Sequence, residues 1–191
     1  DSWLLWKLTG GAEFATDHSN ASRTQLFDTE TLSFSSDLCA LFDVPLTCLP
    51  TPRPSDSVFG QVAEGATELA AGTPITAMMG DSHAALYGHG VRSSGTVKAT
   101  YGTGSSLMTL TPHRTASSHG LSGTIAWTDR NGTAHALEGN ITVSGQAAAF
   151  MAGLIGATDA AALSDLAQTV PDAGGVSFVP ALAGLGAPPW H

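Results

Sequence analysis

One stretch limits what this chain can be: Pro74 to Gly90, PITAMMGDSHAALYGHG. The apolar run Ile75-Thr76-Ala77-Met78-Met79 predicts a buried strand. Gly80 ends it, Asp81, Ser82 and His83 follow, and Ala84-Ala85-Leu86-Tyr87 begins a helix. A carboxylate is thereby delivered at the carboxyl end of a strand and the amino end of a helix, the edge where open α/β sheets bind ligands. Further along, Thr100-Tyr101-Gly102-Thr103-Gly104 makes a second turn between two strand-like segments. The first turn is expected to carry a general base and the second to hold phosphate, the two facing each other.

With 191 residues there is room for one sizeable domain or two small ones. Hydrophobic residues make up 42%, enough for a core, while charged residues are only 12%, as expected if chain not present here covers part of the surface. The net charge of −9, with no basic run, argues against nucleic acid or an anionic membrane as partner. No apolar run approaches the length of a membrane span. Cys39 and Cys48 are the only cysteines. Without a visible leader, they predict a reducing, cytoplasmic setting and no disulfide, and three Asn-x-Ser/Thr sequons (at Asn20, Asn131 and Asn140) are discounted accordingly. Both ends look cut, at Asp1-Ser2-Trp3 and Trp190-His191.

Local patterns supply the elements. Ser2 to Leu8 predicts a helix stopped by Thr9-Gly10-Gly11, with Trp3 and Trp6 on one face and packed in the core. Phe14 to Thr24 predicts an irregular loop, and Asp28-Thr29 a turn. Ser35-Ser36-Asp37 caps a short helix to Phe42. LPTPRP, 49–54, predicts an extended connector, 58–62 a strand and 67–71 a weak helix. Beyond Gly90 the pattern changes. Strands are expected at 96–100 and 105–111, then a hairpin 123–137 turning on Asp129-Arg130-Asn131-Gly132. Helices at 141–155 and 160–169, a strand at 176–179 and a tail loop from Gly184 complete the chain. A run of strands followed by helices places a domain boundary near Gly90.

Asp81 has two readings at this level, a helix cap for first-turn amides or a base taking a proton from an attacking hydroxyl. Gly102-Thr103-Gly104 is likewise an ordinary tight hairpin or an anion cradle, since glycines let amides approach an anion closely and the threonine adds a hydroxyl. It is not a P-loop, for no Gly-Lys-Ser/Thr occurs. Gly80-Asp81-Ser82 is similar to the opening of GDSL-type esterases, but the late Asp-x-x-His of that family is missing. Seven histidines give no zinc-like spacing, so no metal ligand is assigned.

Taken in order, the blocks resemble the FGGY carbohydrate kinases, the glycerol-kinase branch most of all. They are Trp3-Leu4-Leu5-Trp6-Lys7-Leu8-Thr9-Gly10-Gly11; Thr16-Asp17 with Asn20-Ala21-Ser22-Arg23-Thr24; Gly80-Asp81 with Ala84-Ala85-Leu86; Thr100 to Gly104; Ala136-Leu137-Glu138-Gly139; and Phe178-Val179-Pro180 with Gly184 to Pro188 and Trp190. The resemblance implies an α/β actin-like ATPase (ribonuclease H-like) fold, with parts of two domains flanking a cleft. Residues 1–90 would close the first, acceptor-side domain and 91–191 open the second, ATP-side domain. It implies transfer of the ATP γ-phosphoryl group to a polyol or sugar hydroxyl, with ATP and Mg²⁺ as cofactors. Asp81 matches the catalytic base and an acceptor contact. Gly102, Thr103 and Gly104 match the hairpin that grips nucleotide phosphates, and Gly145 a nucleotide-contacting helix position.

Departures bear on the substrate. Glycerol kinases carry Gln where Ser82 stands and Phe where Ser106 stands, so the acceptor pocket is expected to be roomier and more polar, suiting a tetritol, pentitol or ketopentose. The nucleotide-side Gln of the family is Ala149 here, leaving the purine contacts open. The family's N-terminal phosphate loop and later adenosine site are not in this chain, so the piece alone is expected to be inactive. Self-association of a full-length version is left open. Two other readings stand beside the kinase: a serine hydrolase using Ser82, and an actin-like nucleotide-binding module without catalysis.

Overall fold

The computed structural model describes residues 1–184. The chain forms two compact units, one of Asp1–Thr96, Thr109–Ala116 and Gly123–Leu137, the other of Val97–Met108, Ser117–Ser122 and Glu138–His191.

The first unit opens with α1 (Ser2–Leu8), β1 (Ala15–Asp17), α2 (His18–Ala21), β2 (Phe27–Asp28), β3 (Ser33–Phe34) and α3 (Ser36–Leu41). It continues through a 3₁₀ turn at Leu46–Cys48, β4 (Thr51–Arg53), β5 (Gly60–Gln61), β6 (Pro74–Ile75) and α4 (Asp81–Gly88). α1 stops where expected: Thr9 Oγ1 donates to Leu5 O at 2.9 Å, and Gly10 and Gly11 take positive φ, which a side chain resists. The tryptophans depart from expectation. Leu5 is the buried residue of α1 and joins Ala15 and Phe59 in a core on which Ile75 and Met78 pack, whereas Trp3 is 69% and Trp6 42% exposed. The Lys7 ammonium lies over both rings, 5.7 and 5.2 Å from their centroids.

The segment expected to be an irregular loop, 14–24, is instead β1 and α2, among the most buried parts of the unit. β1 pairs in parallel with β4, Ala15 opposite Thr51 and Asp17 opposite Arg53, so the extended 49–54 connector is part strand. The small polar residues are at home inside because Asp17 caps α2, accepting from the Ser19 and Asn20 amides. β2 and β3 pair antiparallel, and Ala21, Phe27 and Ile125 form a second core cluster. α3 is capped by Ser35, as its sequence predicts.

The strand expected over 75–79 is shorter and less buried than its apolar run suggests. β6 holds only Pro74–Ile75, antiparallel to β5, and Thr76 to Gly80 continue outside any regular element with Ala77 exposed. The expected 67–71 helix is absent; bends and turns occupy the stretch, bracketed by Gly65 and Gly72 at φ +72° and +84°.

Next come β7 (Val97–Tyr101), β8 (Ser105–Thr111), β9 (Ser122–Asp129) and β10 (Gly132–Ile141), ordered β7-β8-β10-β9 in one sheet. Links as short as Gly102-Thr103-Gly104 and Arg130-Asn131 admit only antiparallel neighbours, as the turn residues predict. α5 (Gly145–Ile155) and α6 (Ala160–Ala167) follow in the second unit and pack on each other. The helix expected from Ile141 starts at Gly145 because β10 runs on to Ile141. No strand forms at 176–179; Val176 is 76% exposed and no strand among the described residues pairs with it. The expected loop from Gly184 to Trp190 lies, past Gly184, outside the described residues. Among the described residues no single helix is long and apolar enough to cross a membrane.

Candidate functional site

In the first unit the chemistry gathers at the start of α4. Asp81 is its first residue and is exposed. Its Oδ1 accepts from the Ser82 amide at 2.6 Å. Among the described residues its other oxygen has no hydrogen-bond partner. Asp81 borders a pocket of about 530 Å³, with Asp1, Leu4, Leu8, Asn20 and Met79 on its walls. Asp1 is held in turn by the Thr16 hydroxyl, which donates to its Oδ2.

Behind Asp81 lies a buried polar assembly. The Gly80 amide donates to Ser19 Oγ at 2.9 Å, and Ser19 Oγ donates to Asp17 Oδ1 at 3.0 Å. Asp17 is fully buried. It also accepts from Ser19 N, Asn20 N, Asn20 Nδ2 and Ser55 Oγ at 2.6–3.1 Å. Gly80 has little room for a side chain, since a Cβ there would lie 2.8 Å from His83 Nδ1 and 3.4 Å from Asn20 Oδ1. Ser82 is half-buried, and the neighbouring His83 ring is 3% exposed with Nε2 3.2 Å from Thr124 Oγ1. That ring is thus engaged by Thr124, which gives the serine-hydrolase reading no support. His18 Nδ1 lies 3.0 Å from Thr128 Oγ1; burial holds its pKa below the ordinary histidine value, against the opposing pull of Asp17.

In the second unit the sequence-named residues converge. The carbonyls of the β7–β8 turn cap α5: Thr103 O accepts from the Ser144 and Gln146 amides (2.9 and 3.4 Å), and Gly102 O from the Gly145 amide (2.9 Å). The backbones touch so closely that a Cβ on Gly145 would stand 2.5 Å from Gly102 O, and one on Gly104 would stand 2.6 Å from Ile141 O. The glycines at 104 and 145 are therefore required by close approach, whatever they bind. Thr103 is exposed, and among the described residues no carbonyl accepts from the Thr103 or Gly104 amides. These amides and the Thr103 hydroxyl remain available to an anion. Ala149 is exposed one turn along α5. Ser106 donates to Glu138 Oε1 at 2.7 Å.

Sequence reasoning named Asp17 only as part of a family block and gave no role to it, to Ser19 or to Ser55. The Asp-x-x-Asn spacing of a capped helix was the available signal. It likewise gave no role to Glu138, 5% exposed and named only within a family block, or to Lys98, 4% exposed, whose Nζ has no hydrogen-bond partner among the described residues. A lone lysine in a strand pattern gives no local sign of burial.

Superposition on solved structures defines the class first. The chain matches Plasmodium falciparum glycerol kinase, solved with ADP, at a TM-score of 0.89 and 34% identity, covering all of this chain and 38% of that one. It matches the Lactobacillus acidophilus xylulose kinase at 0.83 and 21% identity over 99% of this chain and 39% of that one. The architecture is the actin-like ATPase, ribonuclease H-like fold of these kinases. Among curated relatives, apulose kinase of Pectobacterium atrosepticum is 51% identical over the whole chain and glycerol kinase of Gloeobacter violaceus 45%. The chain spans 38% of the length of each. Residues 1–88 match the N-terminal-domain model of the FGGY family of carbohydrate kinases and 97–191 its C-terminal-domain model. The chain belongs to the FGGY family of carbohydrate kinases.

Proposed function

We propose that the protein carrying this chain phosphorylates a hydroxyl of a polyol or sugar from ATP, with residues 1–90 contributing to the acceptor side and 91–191 to the nucleotide side. The observation that carries the reading is the Asp81 carboxylate, exposed on a pocket at the first turn of α4 with one oxygen uncommitted. A carboxylate so disposed orients an acceptor hydroxyl and takes its proton as the oxygen attacks. Ser82, at the next position, is proposed as a second acceptor contact.

Bound ATP would supply the γ-phosphoryl group, its phosphates held by the Thr103 hydroxyl and the Thr103 and Gly104 amides. The cradle fits, because those donors are uncommitted and glycine flanks them. Gly102 and Gly145 keep the turn seated on α5, and Ala149 lies along the same helix on the nucleotide side. Mg²⁺ is proposed to arrive with the nucleotide. Among the described residues no three His, Cys, Asp or Glu side chains are grouped to hold a metal, so no step is assigned to it here.

For the acceptor we propose a molecule larger than glycerol. The small Ser82 and Ser106 support this, and so does the 51% identity to an apulose kinase against 45% to a glycerol kinase. Ser106, whose hydroxyl donates to Glu138 Oε1, is proposed as a further acceptor contact. Two free cysteines suit a reducing cytoplasm.

The test is Asp81→Asn in a full-length version. A base of this kind contributes about 10²–10⁴-fold to turnover, so kcat should fall by that order while ATP affinity is retained. Unchanged kcat would remove Asp81 from the chemistry. The 191-residue chain alone should show no ATP-dependent phosphorylation of any polyol or ketose.

A further inference from the structure

We infer that Asp17, acting through Ser19 and Ser55, is a positioning residue that sets the direction of the Asp81 carboxylate; this rests on the role proposed for Asp81. Asp17 lies far from Asp81 in sequence and does not touch it. Its donors are neutral: the Ser19 and Asn20 amides, the Asn20 side-chain amide, and the Ser19 and Ser55 hydroxyls. A fully buried carboxylate is costly, and an apolar replacement is often no less stable. What this one supplies is direction. Ser19 has a single hydroxyl proton, and it points at Asp17 Oδ1. The lone pair left over is thereby aimed at the Gly80 amide, and the hydroxyl cannot rotate away without leaving the carboxylate short of a donor.

Ser55 engages the other oxygen in a different way. Its hydroxyl donates to Asp17 Oδ2 at 2.6 Å and accepts from the Thr128 amide at 3.2 Å, while its backbone carbonyl accepts from the Met78 amide at 3.0 Å. The strand pairing of β6 has ended by this point, so the segment before Asp81 has no sheet to hold it. It is pinned instead at Met78 and Gly80, on either side of Met79, to two serines that share one carboxylate. Gly80 is the N-cap of α4, with φ −60° and ψ 144°, so its orientation sets where the first turn, and Asp81 with it, points. The neighbouring His83–Thr124 and Thr124–Ser22 contacts brace α4 from within. They leave Gly80 itself to Ser19.

A double-mutant cycle in a full-length version tests this, with Ser19→Ala, Asp81→Asn and the pair. A misplacement of about 1 Å costs on the order of 10²-fold, so Ser19→Ala should lower kcat roughly 10- to 100-fold with ATP affinity unchanged. In the pair it should cost nothing beyond Asp81→Asn, because a residue that acts through Asp81 has nothing left to position. The inference is overturned if Ser19→Ala leaves kcat intact, or if its loss reappears in full in the pair. Undiminished turnover in Asp81→Asn would instead refute the proposed function itself. Should Ser19→Ala not fold, Asp17→Asn, which alters the acceptor that orients the Ser19 hydroxyl, enters the same cycle with the same expected and overturning results.

Discussion

Replacing Gly145 by Ala sets helix propensity against a backbone contact, and the structure says which wins. Alanine is favoured over glycine by about 0.8–1 kcal/mol in a helix interior, and by less at a first position. Against this, the new Cβ would stand 2.5 Å from Gly102 O. Carbon and oxygen sit comfortably at about 3.3 Å, so the turn must lift by roughly 0.8 Å. The Gly145-to-Gly102 and Ser144-to-Thr103 hydrogen bonds, both 2.9 Å, would then stretch to about 3.7 Å and be lost. Two such bonds are together worth about 1–3 kcal/mol net; less roughly 0.5 kcal/mol of propensity at a first position, this leaves a destabilisation of about 0.5–2.5 kcal/mol. Gly153 is the control on the same helix. A Cβ there meets nothing within 4 Å, and Gly153→Ala should stabilise by about 0.5–1 kcal/mol. Urea unfolding followed by circular dichroism reads both. Nucleotide affinity of a full-length version should fall for the first variant only. If the two substitutions move the midpoint the same way, the seating of the turn on α5 is not what Gly145 provides.

Two further outcomes follow from buried titratable groups. Burial lowers the pKa of His18 in the folded chain, so the unfolded chain binds more protons in the window below its ordinary value of 6.5. Stability is therefore full above that value and is lost as pH falls through it toward the folded value; Tm at pH 5.5 and 7.5 should differ less in His18→Gln than in the parent. Lys98→Met removes a buried ammonium nitrogen that has no hydrogen-bond partner among the described residues. It should raise unfolding stability of the chain by about 1–3 kcal/mol, and a loss of stability would mean that the ammonium is compensated.

Much of the secondary structure was legible because its signals are local. The Thr9-Gly10-Gly11 stop, the Ser35 cap, the Asp129-to-Gly132 turn and the full span of β8 all lie where the residue pattern puts them. The misreadings share a cause. Trp3 and Trp6 were expected inside because they are apolar, yet which face of α1 turns inward is decided by Phe59 and Ala15, remote in sequence. The 14–24 segment was expected to be loop because it is polar, yet its hydroxyls and amides are satisfied by one another and by Ser55. Polarity argues against burial only when partners are missing. The candidate site divides the same way. Asp81 and the Gly102-Thr103-Gly104 turn are visible as strand-to-helix and hairpin punctuation, while Glu138, which takes the Ser106 hydroxyl, is not.

By itself the sequence determined the family, the placement of a carboxylate at the head of α4 and a glycine-flanked turn between β7 and β8. These follow from turn chemistry acting over a few residues and from the order of the blocks. Only the tertiary structure decided what holds them: Asp17 gripping Ser19 and Ser55 so that Gly80 and Met78 stay put, and Gly145 kept bare because Gly102 O lies against it. Apart from the Asp17–Ser19 contact, those constraints join residues tens of positions apart. No local pattern encodes a hydrogen bond whose two ends meet only after the chain has folded.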